Sequence, residues 1–163
     1  MARIVAAVLA VYSLFLIQTS LPHLPARIAI HFDMAGQPNG WGSPRTLWVL
    51  FFFQVLVTGV MLSVPCWGRR FPRSVHLGTR SLGDYTPEQR ERIWPLLERM
   101  AGWMCAATSL FFVWLIREAI RAAQSPEPQF RMGWLPLAYV AGLAGVVIYF
   151  VLRINREAQS PQP

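Results

Sequence analysis

No aspartate, glutamate, arginine or histidine falls in the central part of any long apolar run of this chain, and lysine does not occur at all. Ion-coupled transporters and proton pumps place an ionisable residue where substrate and ion meet inside the membrane, so its absence weighs against transport. The HExxH pair, the GxSxG elbow, the phosphate-binding P-loop and the CxxC pair are also missing, and no familiar catalytic apparatus is left. The basic residues number fifteen, all arginine, and they collect at the ends of the apolar runs with no basic-aromatic module. That pattern orients a membrane protein and gives no reason to expect nucleic acid as a partner. Cysteine is scarce: Cys66 and Cys105 fall near the same expected side of the membrane. A disulfide between them is possible in principle, and reduced thiols are expected if that side is cytoplasmic.

What the chain has in quantity is hydrophobicity. Its 163 residues are 54% hydrophobic with a mean hydropathy of +0.36, which fits one domain in lipid rather than a soluble one. The expected fold is all-α and integral to the membrane, with four transmembrane helices over residues 4–21, 44–67, 101–120 and 134–152. Residues 1–157 form the single domain, and 158–163, the end of a polar tail that starts at Arg153, are expected to be disordered. Arg3 before the first run also fits a secretory signal, but no small-x-small cleavage site follows Leu16, so a retained helix is expected. Trp48 and Trp67 are spaced to sit at the two interfaces of the second span. Gln54 and Thr58 read as hydrogen-bonding contacts to a neighbouring helix. Ala2, Ala6 and Ala10, and the Ala138/Gly142 and Ala141/Gly145 pairs, read as close-packing faces.

Between the second and third spans, Arg69 to Arg99 is the longest polar stretch. Thr86-Pro87-Glu88-Gln89 carries a capping box with proline in the first turn, and Ile93, Leu96, Leu97 and Met100 then share one face. This predicts an amphipathic helix lying on the membrane surface, kinked from the next span at Pro95. Arg69, Arg70 and Arg73 are its candidate lipid-facing cations, and a cytoplasmic regulator is a possible partner. Arg3, the seven arginines from Arg69 to Arg99, Arg153 and Arg156 outnumber Arg27, Arg45, Arg117, Arg121 and Arg131, so the positive-inside rule places both termini in the cytoplasm.

The stretch from Leu21 to Ser43 is polar and turn-rich with a hydrophobic pattern of its own. Ile28, Ile30 and Phe32 alternate with Arg27, Ala29, His31 and Asp33, which predicts a short strand with His31 and Asp33 on one side. Gly36 and Pro38-Asn39-Gly40 read as tight turns, Trp41 as an interfacial anchor, and Ser43-Pro44 as a helix start. His31 and Asp33, with His23 or a partner chain as a third donor, could hold a divalent metal. The alternative is that His31 hydrogen-bonds within the loop and pins the strand to the membrane surface. No other cofactor is implied, and His76 has no evident partner.

The run from Leu24 to Trp48 resembles the membrane family known as domain of unknown function 1648, which also forms the N-terminal part of SdpI-type immunity proteins. Leu24, Pro25, Ile28, His31, Phe32, Gly36, Trp41 and Ser43 match its pattern; Ala29, Asn39 and Pro44 stand where proline, aspartate and a basic residue are usual. The resemblance implies a bacterial inner-membrane protein with an outward-facing motif made of Pro25, His31, Phe32, Asp33, Gly36, Asn39, Trp41 and Ser43. It hints at toxin immunity or envelope sensing. The resulting expectation is a non-enzymatic binding protein with membrane lipid, an extracytoplasmic peptide or protein, and a second copy of itself as candidate partners. An enzymatic or metal-dependent outer site and an oligomeric small-molecule transporter are the alternatives.

Overall fold

The computed structural model describes residues 1–77 and 80–159. Four of its helices are long and apolar enough to cross a membrane: α1 (Ala2–Ser20), α2 (Leu47–Arg70), α3 (Pro87–Gln124) and α4 (Leu135–Gln159). Between α1 and α2 lies an antiparallel hairpin of β1 (Ile28–Phe32) and β2 (Pro38–Gly42). A second, two-residue pair, β3 (His76–Leu77) and β4 (Arg80–Ser81), lies between α2 and α3.

Helix boundaries follow local chemistry. Ser43 caps a short 3-10 turn, its Oγ accepting from the Arg45 amide at 3.3 Å, and α2 grows from that turn as Ser43-Pro44 predicts. At the start of α3 both arms of the capping box form: Gln89 N donates to Thr86 Oγ1 and Thr86 N donates to Gln89 Oε1. Ahead of it, Ser81 N donates to Asp84 Oδ2 at 2.8 Å, and the Ser81 backbone and hydroxyl hold the Asp84 carboxyl below its usual pKa. That contribution to the ordered turn is present at neutral pH and is lost as acid drives the pH down through the depressed value.

The expected surface helix is not a separate element. Helix α3 runs unbroken through Pro95 for 38 residues, about 57 Å at 1.5 Å per residue, roughly twice the hydrocarbon thickness. Pro95 is exposed, so the carbonyl it leaves without a donor can be hydrated. The apolar face on either side of it is spent on protein instead of lipid: Ile93, Trp94, Leu96 and Leu97 are buried against Leu82, Tyr85, Phe150 and Ile154. Helix α4 likewise continues to Gln159, so the polar tail from Arg153 is helical that far; residues 160–163 lie outside the described residues.

Helix α3 is the hub, packing on α1, α2 and α4, with α1 as its most extensive neighbour. Arg3 and Arg69 both reach Glu98, at 3.5 and 3.3 Å, and tie the first turn of α1 and the last turn of α2 to α3. At the opposite end Ile17, Ile28, Leu47, Ile116, Ile120 and Ala123 form a second apolar cluster, which anchors the hairpin through Ile28. Burying one such isoleucine contributes about 1.5–3 kcal/mol. The termini and the segment between α2 and α3 therefore share one side, and the hairpin and the α3–α4 connection share the other.

Three polar side chains, Ser13, Gln54 and Ser109, are fully buried within α1, α2 and α3 and have no protein partner among the described residues. The Thr58 hydroxyl does not reach another helix as its spacing from Gln54 predicts; it donates to the Gln54 carbonyl of its own helix at 2.7 Å, and only the Thr58 carbonyl meets α3, accepting from Cys105 Sγ at 3.6 Å. The amide of Gln54 thus carries a desolvation cost that no protein hydrogen bond repays. Gln54→Met, of similar volume, is expected to stabilise the protein by about 1–2 kcal/mol in thermal unfolding in detergent. A lowered melting temperature would contradict this. Cys66 is exposed and Cys105 buried, both as free thiols.

Candidate functional site

The hairpin is built differently from its sequence pattern. Its turn falls at residues 33–37, and the Pro38-Asn39-Gly40 run that reads as a turn forms strand β2. The cause is Asp33. Its Oδ1 accepts from the amides of Ala35 (2.9 Å) and Gln37 (2.8 Å), while Asp33 N donates to the Gln37 carbonyl and Gly36 N to the Asp33 carbonyl. Gly36, at φ +79°, completes the reversal. The carboxylate expected beside His31 is therefore occupied in closing the turn.

Strict alternation also fails in β1. Ile28 and Ala29 are buried in succession and Ile30 is exposed, because the register slips between Ala29 and His31 and again between His31 and Phe32. The slip sets His31 opposite Gly40, where a Cβ would lie 2.8 Å from that of His31. The His31 imidazole then meets the Asn39 side chain, Nδ1 donating to Oδ1. The ring is thus held within the hairpin by an amide, not by a backbone carbonyl. His31, Asp33, Asn39, Trp41, Pro25 and Ser43 are exposed, Phe32 is half-buried and Gly36 is buried.

His23 ends the 3-10 turn after α1 and is exposed. Among the described residues no three of His, Cys, Asp and Glu come together as a group that could hold a metal, so His23, His31 and Asp33 do not converge as a ligand set. On the other side of the protein, Arg69 is engaged with Glu98 and lies over the Trp94 ring at 5.2 Å, and Arg70 lies over Phe71 at 6.0 Å. Arg73 packs against Gly83. All three are exposed.

The fixed position of the hairpin comes from residues outside the motif. The Phe130 amide donates to the Gly36 carbonyl at 2.9 Å, and the Phe130 ring packs on Phe32 with centroids 5.3 Å apart. The connection that carries Phe130 is in turn held by Glu118, whose side chain is only 11% exposed. Glu118 accepts from Arg121 Nε (2.8 Å) and Nη2 (2.5 Å) and from the Arg131 amide (2.7 Å), while Arg121 Nη2 also donates to the Gln129 carbonyl (2.6 Å). From Phe130 the aromatic contacts continue inward through Trp114 and Phe111 to Tyr139, where the last two rings stack at 4.3 Å. Glu118 belongs to no motif in the sequence. The legible signal was a carboxylate three residues ahead of an arginine at a helix end.

The hairpin presents His31, Asn39 and Trp41 at its surface and brings no convergent metal-ligand set together among the described residues. No curated protein and no solved structure matches the chain. A family match covers most of α1, the whole hairpin and the first half of α2, which are the elements that place His31. Residues 6–58 match the family described as domain of unknown function (DUF1648).

Proposed function

We propose that the protein is a non-enzymatic binding protein of the membrane, whose hairpin is the contact surface for a peptide or protein in a sensing or immunity-like role. The observation that supports this most is that His31 and Trp41 are exposed on a hairpin whose conformation is fixed from both sides: by Asp33 and Gly36 within it, and by Phe130 and Glu118 beneath it. A preorganised surface loses little conformational entropy on binding. The arginine excess on the termini side supports a cytoplasmic location for both termini and an extracytoplasmic hairpin, as in a bacterial inner membrane. On that side, Arg69, Arg70 and Arg73 face anionic lipid or a cytoplasmic regulator.

Trp41 is 48% exposed and is the aromatic anchor of this surface. Trp41→Ala and His31→Ala are each expected to cost about 2 kcal/mol of partner binding, roughly thirtyfold in affinity. A photo-crosslinking residue at Ile30 in native membranes would identify the partner, and titration of that partner against the two variants would measure the loss. Unchanged affinity in both folded variants would remove the hairpin as a contact surface.

A further inference from the structure

Beneath the α3–α4 connection, on the hairpin side of the membrane, a cavity of about 710 Å³ lies between α3 and α4. Its walls are apolar and aromatic, with Phe111 and Trp114 from α3 and Tyr139 and Gly142 from α4, and an added Cβ at Gly142 would touch nothing. Its mouth is charged: Arg117, Glu118 and Arg121 line the end next to the connection. Glu118 is neutralised by Arg121, whereas Arg117 is exposed and forms no ion pair among the described residues. The mouth therefore carries one uncompensated positive charge above an apolar slot.

We propose that this cavity is a binding site for an anionic membrane lipid of the hairpin-side leaflet, with its phosphodiester at Arg117 and one acyl chain against Phe111, Trp114 and Tyr139. The division of the site into a cationic end and an apolar body matches an amphiphile with a single negative charge, and a neutral lipid would leave Arg117 without a counter-ion. Size agrees. At about 30 Å³ per carbon, close to the share of one water in the liquid, a chain of about sixteen carbons fills roughly 480 Å³ of the space. The volume also lies within the roughly 300–1,000 Å³ usual for small-molecule sites. The site is distinct from the hairpin surface, but the rings from Tyr139 through Phe111, Trp114 and Phe130 to Phe32 run between them without a break. A lipid seated against Trp114 would touch the same aromatic column that supports the hairpin.

The test uses the full chain in vesicles of phosphatidylcholine with a minority of phosphatidylglycerol, one or the other lipid carrying bromine on its acyl chain as a fluorescence quencher. The contribution of Trp114 is isolated by subtracting the signal of Trp114→Phe. Brominated phosphatidylglycerol is expected to quench Trp114 more strongly per lipid than brominated phosphatidylcholine, by about fivefold, the selectivity that one arginine contributes at an anionic surface. Arg117→Gln, an exposed substitution, is expected to erase the preference. Gly142→Leu, which fills open space in the slot, is expected to shield Trp114 from both lipids. His31→Ala is expected to leave the preference intact, which separates this site from the hairpin surface. Equal quenching by the two lipids, or a preference that survives Arg117→Gln, would overturn the proposal.

Discussion

Replacing Glu118 by alanine is expected to release the α3–α4 connection from the hairpin at a cost of about 3 kcal/mol. Three donors converge on that carboxylate, two from the Arg121 guanidinium and one from the Arg131 amide, and the side chain is nearly buried. Hydrogen bonds to a charged group contribute about 1.5–3 kcal/mol each but are not additive when they share one acceptor. Arg121 is partly exposed, so water recovers some of the loss on its side. The amides of Phe130 and Arg131 report the result directly, because each is bonded either to the hairpin or to Glu118. Their hydrogen exchange in the alanine variant is expected to quicken by roughly a hundredfold, while amides at the centre of α3 keep their protection. Glu118→Gln keeps the acceptor oxygen and the shape and is expected to lose less. Unchanged exchange at Phe130 and Arg131 would show that the network does not hold the connection.

Gly36→Ala attacks the same junction from the hairpin. A Cβ at residue 36 would stand 2.3 Å from the Phe130 carbonyl oxygen, a backbone atom that cannot swing aside as a side-chain tip can. The residue also sits at φ +79°, which costs about 1–2 kcal/mol for any residue with a Cβ. Relief requires the connection to lift, which gives up the bond from the Phe130 amide to the Gly36 carbonyl and the contact between Phe130 and Phe32. The sum is about 3 kcal/mol. The turn itself keeps its Asp33 bonds, so the hairpin should stay paired while losing its dock. Accordingly, exchange at Phe130 should accelerate strongly in the variant while the β1–β2 amides slow-exchange as before; protected amides at both places would contradict the account.

Which features were legible in the sequence follows from how local their causes are. The four spans are written in runs of apolar residues, and the starts of α2 and α3 in Ser43-Pro44 and Thr86-Pro87-Glu88-Gln89, where cap and capped amide lie within three residues. That Leu21–Ser43 is a structured segment with a strand at Ile28–Phe32 was legible as well, but its internal geometry was not. Two segments offered turn chemistry, Asp33 to Gly36 and Pro38 to Gly40, and only the side-chain bonds of Asp33 decide between them. The bulge around Ile30 moved His31 opposite Gly40 and gave it Asn39 as partner, which period-two counting cannot anticipate. Pro95 misled in the same manner. Its ring removes one hydrogen bond, and the burial of Ile93, Trp94, Leu96 and Leu97 against α4 and the preceding segment outweighs that loss. The hold of Glu118 on the Arg131 amide, thirteen residues along, belongs to tertiary structure and leaves only the Arg121 spacing as a trace.

The central claim is that the hairpin carrying His31 is a folded cap on one side of the membrane, opposite the segment that joins α2 to α3. Single cysteines at Gln37 and Ser74, in a chain with Cys66→Ser and Cys105→Ala, test it in intact cells with a membrane-impermeant maleimide. The account predicts that Gln37→Cys labels from outside and that Ser74→Cys labels only after the membrane is permeabilised. Labelling of both positions from the same side would contradict it.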